Sequence, residues 1–526
     1  MDVVRFSLRK YLFTSLIIAV LSANPAGLIA EADESIYQKL ELYQNVVDKV
    51  SARYVERMEP GDLIIRSIEG MIESLDPYSQ LLDPDDYMDL KVDTRGRFGG
   101  IGIELGLRSD MLTIIAPIEG TPAHRLGLQG GDRIVKIEGE PTKGWNIMDA
   151  VKRLRGPKGT QVTITIGREG IDEPFDVTIT RDIIKVKSVP YAFMTTPTTG
   201  YIRLSTFSES SGEEVRDAVK ALKEQEMEAL ILDLRYNPGG LLNQAVEVAE
   251  IFMDKGELVV FTDGRSEDQN REYVASREGL TQKIPLVVLI NQYSASASEI
   301  VAGALQDHDR ALILGEPSFG KGSVQTLFDL GGDYALRLTT AYYYTPSGRS
   351  IHKADGDEIA SIQAHAPERE SVAKKEGFFT DSGREVVGGG GITPDIIVKP
   401  EELSEVTQKI LKEPVFFNYG VRYKSQHPDL RMDFEITDEV LGDFYAYILG
   451  EGIEITEEEY ASQKDFVASR LEFEIDRVYW GEGIAKQKGF DKDIEAKKAL
   501  ELIEKGKTLS GLFEMASALQ QDQPVD

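Results

Sequence analysis

The hydrophobic and polar positions divide the chain into stretches of different texture. Across residues 33–93 apolar side chains recur three or four positions apart, at Ile36, Leu40, Val46, Val47 and Val50 and again at Leu63, Ile64, Ile68, Met71, Ile72 and Leu75. That is the period of amphipathic helices, and Asp76-Pro77 and Asp83-Pro84 are expected to stop them. Residues 96–183 read instead as short β runs punctuated by glycine, with one helix at 147–154. Residues 185–400 alternate: runs at 200–204, 229–234, 286–290 and 311–314 are apolar enough to be buried strands, and helical patterns occupy 213–225, 241–253 and 299–306. This alternation predicts an α/β layer arrangement. The charged stretch 353–391 has no period and ends in four glycines, as a surface excursion would. Residues 401–526 return to a helical pattern and are acidic, with 28 Asp and Glu against 15 Lys and Arg, an excess that points to a solvated face. We read 33–93 as an interaction arm and 401–526 as an oligomerisation or adaptor-binding region.

Composition narrows the function. A length of 526 residues is too long for one core, and about three or four domains are expected. The net charge of −30 argues against nucleic acid as a partner, since phosphates need a basic surface. The absence of cysteine excludes a disulfide framework, a thiolate nucleophile and a Cys-based metal site. At the N-terminus Arg5, Arg9 and Lys10 precede the apolar run Tyr11-Leu-Phe-Thr-Ser-Leu-Ile-Ile-Ala-Val-Leu-Ser-Ala23, and Ala30-Glu-Ala32 offers a cleavage site. This predicts a signal peptide and export, with an uncleaved membrane anchor as the alternative.

Candidate chemistry concentrates in Asn291-Gln-Tyr-Ser-Ala-Ser-Ala-Ser-Glu299, which follows an apolar run and precedes a helical pattern, so a serine cluster should sit on a strand-to-helix turn. The free N–H groups and dipole of a helix N-terminus stabilise an alkoxide or an oxyanion, although serine is equally a common N-cap. Local physics does not choose among Ser294, Ser296 and Ser298. Downstream, Gly315-Glu-Pro-Ser-Phe-Gly-Lys321 has the outline of a phosphate loop. However, Gly322 stands where Ser or Thr would bind Mg²⁺, and Val324-Gln-Thr-Leu-Phe328 reads as a strand where a helix is required. A Ser-His arrangement would need His124, His308, His352, His365 or His427. The nearest, His308, falls at a predicted helix end, where it matches the dipole. A Ser/Lys pair needs an amine kept neutral by burial. Lys321, between Gly320 and Gly322, has room for a buried stem, and Gln325 lies close enough in sequence to fix the amine.

The motifs, taken in order, are similar to those of the C-terminal processing peptidases, the Ser/Lys tail-specific proteases. They are Leu75-Asp-Pro-Tyr-Ser79, Thr94-Arg-Gly-Arg-Phe-Gly-Gly-Ile-Gly-Ile103, Asp233-Leu-Arg-Tyr-Asn-Pro-Gly-Gly-Leu241, Ser294-Ala-Ser-Ala-Ser-Glu299, Gly320-Lys-Gly-Ser-Val-Gln325, Thr345-Pro-Ser-Gly348 and Gly391-Ile-Thr-Pro-Asp395. Tyr78 departs from the pattern, where many relatives have His. The resemblance covers nearly all of 36–400 and implies a multidomain α/β and α+β protein with a crotonase-like core of stacked ββα units. The expected order is a signal peptide or membrane anchor at 1–32, a helical dimerisation region at 33–93, a PDZ domain at 94–184, the serine protease core at 185–400 and a helical acidic extension at 401–526.

Position by position, the resemblance implies that Ser296 is the nucleophile, Lys321 the general base and Gln325 the residue that orients the lysine. It places the oxyanion hole at the amides of Ala297 and Gly239, with Gly240 as the alternative. A glycine there lets the backbone reach the developing charge. The loop Gly99, Gly100, Ile101, Gly102 and Ile103 resembles the part of a circularly permuted bacterial PDZ domain that holds a peptide's C-terminal carboxylate and accepts it as an added strand. Arg168 is a gating candidate beside its plainer reading as an exposed turn arginine. No cofactor and no metal is expected. The partners implied are proteins or peptides with exposed C-termini, a second copy in a homo-oligomer and an activating adaptor, in the periplasm or cell envelope, with inner-membrane anchoring through the N-terminus as the alternative. Activity should rise with pH as Lys321 loses its proton. A PDZ-bearing scaffold or chaperone with an inactive core is the alternative function, and an acyl-coenzyme A enzyme would rest on shared fold alone.

Overall fold

The computed structural model describes residues 26–281, 283–353 and 377–521. The basic and apolar leader at 1–25 and most of the charged stretch, 354–376, lie outside the described residues. Among the described residues no helix is long and apolar enough to cross a membrane.

The described residues form two compact units, and 26–84 with 327–339 make the first. Its helices Ala26–Arg53 and Pro60–Glu73 pack together, joined by a Tyr43–Ser67 hydroxyl pair at 2.5 Å. Ile36, Leu40 and Val46, part of the apolar stripe, stay exposed. After the second helix Asp76 builds a turn by accepting the amides of Tyr78 and Ser79, both at 2.8 Å, as short acidic side chains do. The strand Gln80–Leu82 then pairs antiparallel with residues 335–337. Asp83-Pro84 does not stop a helix as expected. Pro84 opens one, Pro84–Arg95, because its fixed φ and missing N–H suit a first turn.

The described residues among 85–326 and 340–521 make the second unit. Its glycine-punctuated part is an antiparallel sheet in the order Ile103–Arg108, Met111–Pro117, Arg133–Ile137, Gln161–Gly167, Phe175–Thr180. The helix Ile147–Leu154, capped by Asn146, packs over it. Ile103–Arg108 is an edge strand of this sheet.

The α/β part is a sheet in the order Ala192–Met194, Thr199–Arg203, Ala229–Asp233, Leu286–Ile290, Leu312–Gly315, Ile396–Ile397, parallel after its first, antiparallel pair. Successive strand residues point to opposite faces, and here both faces are buried, which is why the runs are apolar throughout. Leu230, Leu232, Val288 and Ile290 meet the helices Ser211–Lys223, Leu242–Ala249 and Ala297–Asp307. Ala229, Ile231, Val287 and Leu289 meet Phe490 and the last helices, Ile494–Gly506 and Leu509–Gln521.

Residues 401–526 therefore serve two places. Helices from Glu405–Leu411 to Lys464–Trp480 close around a core of their own at Phe416, Phe444 and Leu471, and from Phe490 onward the chain returns to cover the sheet. The first group also touches the glycine-punctuated sheet, where a Cβ on Gly131 would collide with Val421 and Arg108 lies over the Phe417 ring.

Candidate active site

The strand Leu286–Ile290 delivers a tight turn that ends at Ser296, the N-cap of the helix Ala297–Asp307. Ser296 has φ 56° and ψ −112°, left-handed backbone that costs an L-residue of order 1–3 kcal/mol and persists only where its surroundings enforce it. They do so here. Ala295 donates its amide to the Asn237 carbonyl at 3.0 Å, and the Ser296 amide donates to Glu299 Oε2 at 2.7 Å.

The structure separates the three serines. Ser294 is buried, and its hydroxyl donates to the Leu234 carbonyl at 2.8 Å. Ser298 is buried and donates to the Asn237 carbonyl at 2.9 Å. Ser296 alone of the three is partly open to solvent.

Glu299 is the hub of the site. It is 0% exposed, and its carboxylate accepts from the Ser318 hydroxyl at 2.6 Å and from the amides of Gly320 at 2.7 Å, Ser296 at 2.7 Å and Lys321 at 3.0 Å. Burial pushes its pKa up, and those four donors pull against that push. The Ser296 and Lys321 amides share one oxygen, Oε2, so the two backbones are clamped side by side. Tyr343 adds a second clamp, its hydroxyl reaching the carbonyls of both Ser296, at 3.1 Å, and Lys321.

Lys321 is half-buried between Gly320, at φ 92°, and Gly322, whose Cβ would run into the His352 backbone at 2.8 Å. Gly322 donates its amide to His352 Nδ1 at 3.2 Å. Gln325 lies on the strand Ser323–Gly331 that follows, and its Nε2 donates to the Ser323 hydroxyl at 3.0 Å.

Gly239, at φ 96°, passes so close that a Cβ would lie 2.8 Å from Ser296 Cβ and 2.9 Å from the Ala297 nitrogen. Only glycine fits there. Its own amide donates to Asn237 Oδ1 at 2.9 Å. The amides of Ala297 and Gly240 make no hydrogen bond to any described residue. Gly239 and Ala297 thus lie against the serine, the Gly239 amide being held by a side chain, and Gly240 packs against Phe207. Beside them Tyr236 and Tyr293, both exposed, stack at 5.3 Å.

The remaining candidates lie elsewhere. His308 caps the far end of the serine helix, about 16 Å along at the usual rise, with both ring nitrogens occupied: Asp381 at 2.8 Å and the Leu258 carbonyl at 2.8 Å. Of the five residues 99–103, Gly99 and Gly100 end the strand Arg97–Gly100, which pairs antiparallel with Asp182–Lys185 in a small sheet of its own. Gly99 abuts the Gly156 carbonyl, Gly102, at φ 83°, lies over Thr121, Ile101 is buried, and Ile103 opens the edge strand. Arg168 is not an exposed turn residue. Its Nε and Nη2 make a two-pronged pair with the buried carboxylate of Asp132 at 2.6 and 2.7 Å, and Nη2 also reaches the Gly127 carbonyl.

Comparison with known proteins identifies the family. Residues 198–360 match the model of peptidase family S41, and residues 113–168 match a PDZ domain model. A carboxy-terminal-processing protease of Bartonella bacilliformis is 43% identical over 353 residues, which span 66% of this chain and 80% of that protein. The chain belongs to the carboxy-terminal-processing proteases of family S41. It is therefore a serine-type peptidase that carries a PDZ domain. The carboxy-terminal processing protease CtpA of Bacillus subtilis is 33% identical, over 65% of this chain and 75% of that one. Among solved structures, a photosystem II D1 C-terminal processing protease is 26% identical over 69% of this chain and 94% of its own, with a TM-score of 0.36. The PDZ domain of a carboxy-terminal protease from Vibrio cholerae, in complex with a peptide, is 36% identical over 17% of this chain and 99% of its own, with a TM-score of 0.16.

Three parts of this S41 site escaped the sequence reading. Glu299 had a signal: Ser296-x-x-Glu299 spells a capping box. Tyr343 had none, being an apolar-patterned strand residue. The third is the ion cluster at the end of the strand Ala229–Asp233. Asp233 is buried and takes Arg235 through Oδ1 at 3.1 Å and Oδ2 at 2.7 Å, Arg203 at 3.1 Å and the Tyr201 hydroxyl at 2.5 Å. Burial opposes its ionisation, and the two guanidinium groups overcome that and hold its pKa far below the usual range.

Proposed function

We propose that this protease processes or degrades exported proteins from their C-terminal tails, with Ser296 as nucleophile and Lys321 as general base. The observation that carries the reading is the single Glu299 oxygen that accepts both the Ser296 and the Lys321 amide. It fixes the two residues relative to each other without using either side chain. The hydroxyl proton passes to the neutral Lys321 amine as Ser296 Oγ adds to the scissile carbonyl. The oxyanion is received by the Ala297 amide and by Gly240, or by Gly239 once Asn237 releases it. Lys321 then gives the proton to the leaving amine, leaving an acyl-enzyme, and takes one from the water that hydrolyses it. Gln325 orients the lysine in this scheme, and the Tyr236–Tyr293 stack offers an apolar surface to substrate side chains.

The edge strand Ile103–Arg108 and the loop 99–103 would take the substrate's C-terminus by strand addition, the mode in which main-chain bonds supply affinity. The exposed stripe of the N-terminal arm suits a second copy of the chain, and the leader at 1–25 suits export. An unfolded reporter with a free C-terminal tail, compared with the same reporter amidated at its C-terminus, tests the scheme. We expect amidation to raise KM about tenfold and leave kcat nearly unchanged. Equal KM values would remove the tail-capture part, and undiminished cleavage by Ser296→Ala would remove the rest.

A further inference from the structure

The acidic extension reaches the loop that carries Gly239 through Arg235. Arg235, four residues ahead of Gly239, is 9% exposed and sends its guanidinium in two directions. Toward its own strand it holds Asp233 through Nε and Nη2. Toward the extension it holds Asp493 at 2.9 Å from Nη1 and 2.8 Å from Nη2, and Glu495 through Nη1. The other side of the loop is held by Asn237, whose Nδ2 donates to the Leu204 carbonyl at 2.9 Å and whose carbonyl accepts from Ala295 and Ser298. Asn237 thus faces the serine turn, and Arg235 faces the extension.

We infer that Asp493 and Glu495 are positioning residues for the peptidase reaction, holding through Arg235 the loop that presents Gly239 and Gly240 to Ser296. The inference rests on the oxyanion roles proposed above. Its physical basis is that an Arg fork locks in plane only when its prongs are paired, and here three of the five carboxylate bonds come from a segment more than 250 residues away in sequence. That segment is itself anchored. Asp493 caps the helix Ile494–Gly506 by accepting the Ala496 amide at 3.1 Å, and Ala496, Ala499, Leu502 and Ile503 of that helix are buried in the core cluster on the underside of the sheet. Phe490, just before it, packs edge-on against Tyr201, whose hydroxyl bonds Asp233. The same extension touches the PDZ region through Phe417 and Val421, so one covalent segment spans from the peptide-binding sheet to the oxyanion loop.

Asn and Asp cap helices equally well, so Asp493→Asn removes the ion pair and keeps the cap. We expect full-length Asp493→Asn, and more so Asp493→Asn/Glu495→Gln, to lose about 10- to 100-fold in kcat on a tail-bearing peptide with KM within about twofold of wild type, the scale of a misplaced catalytic group. Arg235→Lys, which keeps the charge and loses the fork, should lose a comparable amount. If Asp493→Asn keeps wild-type kcat while Asp493→Ala only lowers Tm, the acid is a helix cap and the inference is overturned. Should the double variant fail to fold, the single Asp493→Asn decides by the same kcat reading. Cleavage by Ser296→Ala measured alongside would instead indict the nucleophile assignment and not the clamp.

Discussion

The two ends of the helix Ala297–Asp307 are built in opposite ways. At its start Ser296 sits on a left-handed residue, partly open to solvent, with the Ala297 amide beside it bonded to no described acceptor. At its end the ionisable side chains are paired: His308 has both nitrogens bonded, Asp307 faces the fully buried Arg349 at 2.7 Å, and Asp309 faces Arg384 at 2.7 Å. A histidine one helix away from a serine looks like a catalytic partner on residue type alone. The bonding inverts that ranking, because a histidine with both ring nitrogens bonded is structural, whereas a solvent-reached hydroxyl beside an amide with no described acceptor is a place kept ready for a ligand.

The sharpest way to break this contrast is to remove the reacting groups. Ser296→Ala and Lys321→Ala should each lower kcat by roughly 10⁴-fold or more, by similar amounts, because nucleophile and base act as a unit. Glu299→Gln should come next, with a loss of about 10²-fold and a lower Tm, since an amide NH₂ cannot accept the bonds that the second carboxylate oxygen accepts. Gly239→Ala should cost a similar or smaller factor with little change in KM, its Cβ forcing the loop off Ser296. The smallest effect on rate belongs to the other end. His308→Ala should keep kcat within about twofold and lower stability in a pH-dependent way. Burial would depress its pKa, but the bonds to Asp381 and Leu258 prevail and raise it. Its contribution is then fully present below the ordinary imidazole value near 6.5 and fades as pH rises through the raised one, so the Tm loss should be larger at about pH 5.5 than at about pH 8.5. Equal losses at both would show that packing, not charge, holds that end.

Much of the architecture was legible because period and burial leave marks on composition. Runs such as 286–290, apolar at every position, are apolar enough to be buried strands and are so, and the strand read after Lys321, which argued against a phosphate loop, is there as Ser323–Gly331. What was illegible involves third parties. A capping box announces that Glu299 serves its own helix, but not that Lys321, on another segment, uses the same oxygen. An amphipathic helix near the C-terminus announces a buried face, but not that the face belongs to the central sheet. Nor does Asn-Pro-Gly-Gly disclose that Asn237 occupies the Gly239 amide and leaves that of Gly240 without a described partner. Only coordinates separate the two glycines, which differ by a side chain's reach.

The central claim is that Ser296 attacks with the help of Lys321, and the most direct measurement is covalent. An activated ester substrate, quenched at short times over a range of pH and mapped by peptide mass spectrometry, should place the acyl group on Ser296. The acylation rate should rise with pH in the wild type and collapse in Lys321→Ala. An adduct on another residue, or acylation of Lys321→Ala at the wild-type rate, would contradict the account.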